Sequence, residues 1–202
     1  MHFAAFVLAL VLMPYVTPAR LQTASHFDVL RQDDFDHDGL GDSEEAQYGT
    51  SPAIADTDGD GYLDGDEVSH GYDPLVPGDR RLPKRIDVDL SEQKLRYYYG
   101  DILQGEMLVS TGRGGMGTPT GVYPIFRKLD VARYSGWSFG RWYDHPNTKW
   151  NMEFIPRYFI HGTYWHNNFG RPWSKGCINV SYENMEPLYR FADIGTPVII
   201  HE

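Results

Sequence analysis

The chain has one cysteine, Cys177, among its 202 residues. A single cysteine excludes an intrachain disulfide, so packing or bound metal must supply the stability that many exported domains take from disulfides. Outside the cytoplasm a solvent-facing free thiol is readily oxidised. The residue is therefore either a buried, inert cysteine or one that is kept for its reactivity.

Long hydrophobic runs are also missing. The one strongly apolar run, FAAFVLALVLMPYV at residues 3–16, is short for a membrane span and is interrupted by Pro14. We interpret residues 1–19 as a secretory signal peptide cleaved near Ala19, or further on near Ala24, although the run is preceded by no lysine or arginine. A buried or amphipathic N-terminal helix is the alternative. We expect a mature protein that has no membrane span and is exported to the periplasm or cell envelope.

Positive charge is scarce, since the chain has 28 acidic and 18 basic residues and a formal charge of −10. No basic patch stands out, which disfavours nucleic-acid binding. The charge is uneven, because residues 20–83 hold 16 acidic and 4 basic residues whereas residues 84–202 hold 12 and 14. The acidity therefore needs an explanation within the first segment.

Two acidic stretches account for it, DFDHDGLGDSEE from Asp34 and DTDGDGYLDGDE from Asp56, which repeat at an offset of 22 residues. Both fit D-x-D-x-D-G-x5-E, a spacing that gathers the six to eight oxygens that Ca2+ prefers. Carboxylates at positions 1, 3, 5, 9 and 12 and the main-chain carbonyl at position 7 are the predicted ligands. These are Asp34, Asp36, Asp38, Leu40, Asp42 and Glu45, and Asp56, Asp58, Asp60, Tyr62, Asp64 and Glu67. We expect two structural calcium ions, and a solvated acidic linker is the alternative.

The spacing of the two loops argues against an ordinary EF-hand pair. Only residues 46–55 separate them, and these include Gly49 and Pro52, so two full flanking helices cannot fit. Residues 33–79 resemble bacterial thrombospondin type 3 repeats. The resemblance implies a small, irregular module stiffened by calcium, with no chemistry of its own.

The sequence pattern of the second half, from residue 84 onwards, predicts β-strands. The turn-rich stretch at residues 76–84 marks a boundary. After it, apolar residues alternate with polar ones in two short segments, and Gly100-Asp101 offers a turn. The alternating residues are Ile86, Val88 and Leu90, then Leu95, Tyr97 and Tyr99; further strand-like pieces cover residues 102–111, 121–126 and 196–202.

One helix is expected at residues 182–193, with Ser181 as its N-cap. Pro187 fits poorly inside it, and we interpret this proline as a mark of the true first turn. With this helix set against several strands, the domain is expected to be mostly β.

Three blocks of this half resemble the L,D-transpeptidase (YkuD-type) catalytic domain. They are residues 85–128 with the TPTG segment, residues 158–181 with H-G-T and S-K-G-C-I-N, and residues 194–200. Their order and the 15 residues between His161 and Cys177 fit that family. The resemblance covers residues 84–202 and implies a β-sandwich or barrel with one or two short helices. It implies an enzyme that needs no cofactor for catalysis. The Gly-rich segment STGRGGMGTPTG lacks the G-K-[ST] ending of a phosphate-binding loop, so it does not predict nucleotide binding.

Cys177 and His161 are the predicted catalytic pair. A free thiol has a pKa of about 8.5, so an imidazole that takes its proton makes it a competent nucleophile. The resemblance implies that the Gly162 carbonyl orients the far ring nitrogen and that the amides of Gly176 and Cys177 form an oxyanion hole. Two alternatives stay open, an inert buried Cys/His pair and a zinc site formed by His161, His166 and Cys177.

Lys175 departs from the family's commonest form, which has histidine before Gly-Cys. A lysine there is expected to favour the thiolate or to bind a substrate carboxylate. Asn179, Ser174 and Arg171 are further predicted substrate-binding residues. Residues 133–150 contain three tryptophans without a regular pattern. We interpret them as a loop that covers the cleft or forms a local aromatic core.

The resemblance implies an exported peptidoglycan L,D-transpeptidase. Cys177 would attack the carbonyl before the terminal D-residue of a stem tetrapeptide, and the amine of another stem would resolve the thioester. An L,D-carboxypeptidase or amidase that uses water is one alternative. A non-catalytic, calcium-dependent peptidoglycan-binding protein is another. The sequence carries no signature of an oligomeric state.

Overall fold

The structure, a computed structural model, describes residues 33–138 and 140–202. The predicted signal peptide at residues 1–19 lies outside them. Within these ranges the chain forms a pair of acidic loops with two short helices, followed by a β domain with one helix. The mostly β class predicted from the sequence is confirmed. No helix in the described ranges is long and apolar enough to cross a membrane.

The β domain consists of two sheets. Its strands are β1 Lys84–Asp89, β2 Lys94–Tyr99, β3 Ile102–Leu108, β4 Gly121–Pro124, β5 Arg127–Ser138, β6 Arg141–Ile155, β7 Tyr158–Thr163, β8 Ile178–Ser181 and β9 Pro197–His201. One sheet has the order β3-β2-β1-β9-β4 and the other the order β5-β6-β7-β8. Neighbouring strands are antiparallel except in the parallel pairs β1–β9 and β7–β8.

Alternating apolar residues build the core, as the period of two predicts. Ile86 and Val88 of β1 are fully buried, and Leu90 packs at the edge of the core. Met152 of β6 and Ile160 of β7 belong to the same cluster and are also fully buried. Each such side chain contributes ~2 kcal/mol through burial, so this core holds β6 and β7, and with them the site described below, in place.

The helix α3, Tyr182–Phe191, covers part of this core. Ser181 is its N-cap and accepts a hydrogen bond from the Asn184 amide, which confirms that prediction. Pro187 lies in the middle of the helix rather than in its first turn, so that prediction was wrong. Met185 and Leu188 are fully buried. Met185 and Leu188 lie before and after Pro187 in the sequence, and we infer that their burial holds the helix together despite the proline.

The helix ends at Phe191, two residues earlier than predicted, because Ala192 is already extended at ψ 134°. Two lysines satisfy its last carbonyls. Lys128 Nζ donates to Tyr189 O and Ala192 O at 2.6 Å each, and Lys84 Nζ donates to Phe191 O at 2.8 Å. Cations at a helix C-terminus also interact favourably with its dipole.

Residues 133–138 and 141–150, which we expected to belong to a loop over the cleft or to a local aromatic core, lie in the long strands β5 and β6, which pair as a β-hairpin. Trp137 and Trp142 pair directly across it with ring centroids 6.0 Å apart, and Arg133 pairs with Asp144 at 2.6 Å. The prediction of a loop was wrong because cross-strand pairs, rather than a buried apolar face, stabilise this part of the hairpin.

The acidic segment packs as two loops, each followed by a short helix, α1 Asp42–Tyr48 and α2 Asp64–His70. Gly49 and Gly71 end these helices in the left-handed conformation. The segment contacts the β domain, since Gln104 Nε2 of β3 donates to the Tyr48 hydroxyl at 3.0 Å.

Candidate active site

His161 is the best-defined part of the site. It lies in β7 between β6 and β8 and is 3% exposed. Its Nδ1 lies 3.0 Å from the carbonyl oxygen of Gly162. Because a carbonyl can only accept, Nδ1 carries the proton and Nε2 of the neutral ring keeps the lone pair. The side chain therefore presents a base on Nε2.

The surroundings of His161 keep it uncharged. Its pKa is lowered to about 4, mainly by burial; the Gly162 carbonyl acts in the opposite direction, and His166 and His145 contribute to the lowering. Tyr134 stacks on the ring with centroids 4.7 Å apart. The Tyr134 hydroxyl donates to Asn151 Oδ1 at 2.9 Å, which fixes the stacking partner in its turn. The imidazole is thus neutral and held in one orientation.

Cys177 immediately precedes β8 and is partly buried. The pKa of its thiol is raised to about 11, mainly by burial; the Phe159 amide and Lys175 act in the opposite direction, and Glu153 contributes to the rise. Lys175 was expected to favour the thiolate, but burial outweighs it. The thiol donates a long hydrogen bond to Arg157 O at 3.9 Å. The resting pair is therefore a neutral thiol and a neutral imidazole.

Close packing requires glycine at two predicted positions. A Cβ on Gly162 would lie 2.5 Å from Tyr182 Cδ1. Gly176 has φ +117°, and a Cβ there would lie 2.5 Å from Tyr158 Cε1. The Gly176 amide donates to Ser174 Oγ at 3.1 Å, so in this conformation it is already engaged rather than turned to an oxyanion. Both glycines are thus needed for steric reasons, whatever their part in catalysis.

An open pocket of about 240 Å3 joins these residues. Its lining residues are Arg113, Tyr134, Tyr143, His145, His161, Trp165, His166, Trp173, Ser174, Lys175, Cys177 and Asn179. It therefore brings His161 and Cys177 together with three of the four predicted substrate-binding residues. The fourth, Arg171, is exposed and lies outside this lining. A larger cavity of about 380 Å3 lies beside the second acidic loop. The smaller pocket is the candidate active site because the predicted catalytic residues, Cys177 and His161, both line it.

Six lining residues were not individually predicted, although three of them lie in residues 133–150, which we expected near the cleft. Tyr134, Tyr143 and His145 come from the β5–β6 hairpin, and Arg113, Trp165 and Trp173 come from loops. The alternation of Tyr143 and His145 was a usable signal, since residues two apart share one face of a strand. Tyr134 reaches the pocket through the register of the strands, and Arg113, Trp165 and Trp173 reach it through the path of their loops.

Asn179 and His166 form a fixed pair on the pocket wall. The Asn168 amide donates to His166 Nδ1 at 3.1 Å, so a neutral His166 carries its proton on Nε2. Nε2 lies 2.9 Å from the Asn179 side-chain amide. We therefore assign the amide oxygen of Asn179 to this contact, which also supplies a partner for a buried oxygen that otherwise has none.

A zinc site at the pocket is not supported by the positions of the ligands. Among the described residues, the groups of three or more potential metal ligands within 4.8 Å of one another are two aspartate trios. His161, His166 and Cys177 do not form such a group.

The two trios lie in the acidic loops. They are Asp34, Asp36 and Asp38, and Asp56, Asp58 and Asp60. The carboxylates at position 12, Glu45 and Glu67, are buried beside them, and burial together with neighbouring aspartates raises the pKa of each to about 7. Several buried carboxylate oxygens have no hydrogen-bond partner, on Asp34, Asp36, Glu45, Asp58 and Glu67. Buried anionic oxygens without partners are costly unless a cation binds them, so these donors fit Ca2+.

The carboxylates at position 9 also form hydrogen bonds within their own loops. Asp42 Oδ1 accepts from the Phe35 amide at 3.0 Å. Both oxygens of Asp64 accept from Thr57, at 2.8 Å from its amide and 2.6 Å from its hydroxyl. The main-chain amides of Leu40 and Tyr62 donate to Asp38 and Asp60, which tightens each loop. In each loop the carboxylate at position 9 thus accepts hydrogen bonds from the residue at position 2, and this contact closes the loop.

Comparison with known proteins agrees with this geometry. Residues 83–200 match the family model of the YkuD L,D-transpeptidase catalytic domain, and residues 34–53 and 56–77 match that of the bacterial TSP3 repeat. The chain is 31% identical over 118 residues to the probable L,D-transpeptidase 3 of Mycobacterium tuberculosis. That alignment covers 53% of this chain and 42% of the relative, so the chain spans less than half of the relative's length.

Solved structures show the same fold. The NMR structure of the catalytic domain of the Enterococcus faecium L,D-transpeptidase gives a TM-score of 0.52 at 28% identity, covering 58% of this chain and 96% of that one. The crystal structure of L,D-transpeptidase 3 from M. tuberculosis gives 0.56 at 20% identity, covering 64% and 66%. Because the family model matches more than half of its residues, the chain belongs to the YkuD family of L,D-transpeptidase catalytic domains, here preceded by bacterial TSP3 repeats.

Proposed function

We propose that this protein is an exported peptidoglycan L,D-transpeptidase that works through an acyl-enzyme on Cys177. The observation that carries the proposal is the pocket that Cys177 and His161 both line, with His161 Nδ1 held by the Gly162 carbonyl and Nε2 left as the base. The apolar run at residues 3–16 supports export to the periplasm or cell envelope.

The chemistry proceeds in two balanced steps. His161 Nε2 accepts the thiol proton as Cys177 Sγ attacks the carbonyl that precedes the terminal D-residue of a stem tetrapeptide. The C–N bond breaks, the leaving amine takes the proton from His161, and a thioester remains. The amine of another stem then attacks the thioester, gives its proton to His161, and releases Cys177 as the thiol.

The Cys177 amide is the first proposed hydrogen-bond donor to the oxyanion. The Gly176 amide contributes once it leaves the Ser174 hydroxyl that it contacts in the structure. Ser174, Lys175 and Asn179 line the pocket and are the proposed contacts to the peptide, whereas the exposed Arg171 lies further out.

Mass spectrometry of the intact protein after incubation with tetrapeptide tests the proposal. We expect an acyl adduct on Cys177 and cross-linked dimers once an acceptor stem is added. Cys177→Ser should give no thioester and no dimer. Dimers formed by that variant would contradict the proposal. Shortened tripeptides without dimers would identify water as the acceptor, and binding without any adduct would identify a peptidoglycan-binding protein.

We further propose that the acidic loops hold two structural calcium ions, on the trios together with Glu45 and Glu67. The support is the set of buried carboxylate oxygens that have no partner. Calcium should raise the thermal unfolding temperature of the intact chain, and chelator should lower it. Asp36→Asn should weaken this response, while Asp66→Asn, an exposed carboxylate outside both trios, should retain it. Unfolding that ignores calcium and chelator alike would exclude the sites.

A further inference from the structure

The loop between β3 and β4 carries the TPTG motif and packs against the residues that lead to Cys177. Within it, Gly112 forms a bridge with Ser174, three residues before the cysteine. The loop also turns back on itself, since a Cβ on Gly112 would overlap the carbonyl oxygen of Met116. Glycine is therefore required at this position, and the tight turn brings Thr118, the first residue of the motif, beside the same stretch of chain.

The Thr118 hydroxyl connects two main-chain groups. Thr118 is only 7% exposed. Its Oγ1 accepts from the Gly112 amide at 2.9 Å and donates to the carbonyl oxygen of Gly176 at 2.8 Å. An amide can only donate and a carbonyl can only accept, so the single hydroxyl proton is committed to Gly176. The side chain thus joins the Gly-rich loop to the residue before the nucleophile.

The carbonyl that Thr118 holds belongs to the same peptide group as the Cys177 amide. In a planar trans peptide the C=O and N–H bonds point in opposite directions, so a contact that fixes one also fixes the other. The Cys177 amide therefore points away from Thr118, which is buried and lies outside the pocket lining. On the other side of Gly176, the Ser174 hydroxyl accepts from the Gly176 amide at 3.1 Å and donates to the Cys177 carbonyl.

Gly176 makes this peptide group easy to rotate. Its φ is +117°, and the contact with Tyr158 leaves no room for a Cβ, so packing requires the residue type that resists backbone rotation least. Rotation of the peptide would turn the Cys177 amide away from its present direction. It would also leave the Gly176 carbonyl without the Thr118 hydroxyl in a buried environment, which is unfavourable.

We propose that Thr118 is a positioning residue for the oxyanion site, because its hydroxyl fixes the direction of the Cys177 amide through the Gly176 carbonyl. The inference rests on the proposed transpeptidase function and gives the TPTG motif a role in it. Thr118 acts through the main chain and not by contact with the peptide, since it does not line the pocket. A donor stabilises developing charge best when it needs no reorientation during the reaction.

Two reactions of Cys177 separate this role from a general structural one. Acylation by tetrapeptide passes through an oxyanion. Iodoacetamide alkylates the same sulfur by displacing iodide from a saturated carbon, with the thiol proton released to solvent, and forms no oxyanion. Thr118→Val removes the hydroxyl at nearly constant volume. Its single-turnover acylation rate at saturating peptide should fall roughly 10-fold, the scale of one net hydrogen bond, while the half-saturating concentration and the alkylation rate stay unchanged.

Three variants serve as controls. Thr118→Ser keeps the hydroxyl and should retain most of the acylation rate. Thr120→Val makes the same substitution at an exposed position of the same motif and should leave both reactions unchanged. Thr196→Val removes another buried hydroxyl, which accepts from the Asp193 amide at 2.9 Å outside the pocket lining. It should lower the thermal unfolding temperature and leave the acylation rate unchanged.

Circular dichroism checks that each variant is folded, and Thr118→Ala removes the same hydroxyl should Thr118→Val not fold. Loss of acylation in the hydroxyl-free variant, with alkylation unchanged and Thr118→Ser active, is the supporting result. An unchanged acylation rate, a parallel fall of acylation and alkylation, or a change in the half-saturating concentration alone would overturn the positioning role and leave the transpeptidase proposal intact. No adduct with the unchanged chain would instead overturn the proposed function and the positioning role with it.

Discussion

The buried imidazole of His161 leads to an unusual pH dependence of acylation. Its pKa is lowered to about 4 by burial, and Nε2 must be unprotonated to take the thiol proton. An ordinary histidine of pKa about 6.5 would be only about 3% neutral at pH 5. With a pKa of about 4, His161 is still about 90% neutral there. Acylation at pH 5 should therefore keep most of its pH 7 rate, and the acid limb should have its midpoint near pH 4.

The lowered pKa of His161 also predicts how the stability of the protein depends on pH. The folded pKa of His161 lies below its unfolded value, so the contribution of this group is fully present above pH 6.5 and falls as the pH drops towards 4. A shift of this size corresponds to about 3 kcal/mol of unfolding free energy. His161→Gln has no such group, so its free energy of unfolding should fall less steeply between pH 6.5 and pH 4 than that of the unchanged chain.

Single-turnover acylation by tetrapeptide, measured by intact mass between pH 4 and 9, tests the first point. Denaturant unfolding of the unchanged protein and of His161→Gln at matched pH values tests the prediction for stability. Circular dichroism checks that the protein stays folded. An acid limb centred near pH 6.5, or identical pH slopes of stability in the two chains, would refute the argument that burial keeps the imidazole neutral.

Three further predictions concern packing and reactivity. Gly162→Ala should destabilise the fold by ~1–3 kcal/mol because the methyl group meets Tyr182, whereas Gly117→Ala, with nothing within 4 Å, should cost far less; chemical denaturation compares the two. Lys128→Met should lose two hydrogen bonds to the end of α3 and lower the unfolding free energy by ~1–3 kcal/mol, and an unchanged midpoint would contradict this. Iodoacetamide should alkylate Cys177 more slowly at pH 7 than it does a free cysteine, because burial raises the pKa of this thiol to about 11. Equal or faster alkylation would argue against a neutral resting thiol.

The sequence was informative where the chemistry is local. Alternating residues such as Ile86 and Val88 predicted buried strand faces, since the period of a strand is a property of the backbone. The separation of His161 and Cys177 predicted one site, and the pocket brings them together. Ser181 predicted the start of α3, since an N-cap needs only its own hydroxyl and a nearby amide.

The sequence was less informative where strand register decides. Tyr134 stacks on His161 because β5, β6 and β7 are adjacent in one sheet, and nothing near Tyr134 in the chain reports that neighbour. The hairpin carries polar residues on both faces, so no apolar period marked it. In both cases the deciding partner lies on another segment of the chain.

Burial gives one explanation for a lone cysteine in a proposed exported enzyme. A thiol with a pKa of about 11 is thiolate in only about one molecule in 10,000 at pH 7, against roughly 3% for a free cysteine of pKa about 8.5. Since oxidation and disulfide exchange proceed through the thiolate, Cys177 is protected until a substrate enters. The same burial keeps His161 unprotonated and ready to accept the proton. In the proposed mechanism the thiolate forms only as the sulfur attacks, and the charge of Lys175, which lowers the pKa of the thiol, stabilises the negative charge that develops. Protection and catalysis therefore require the same low-dielectric environment.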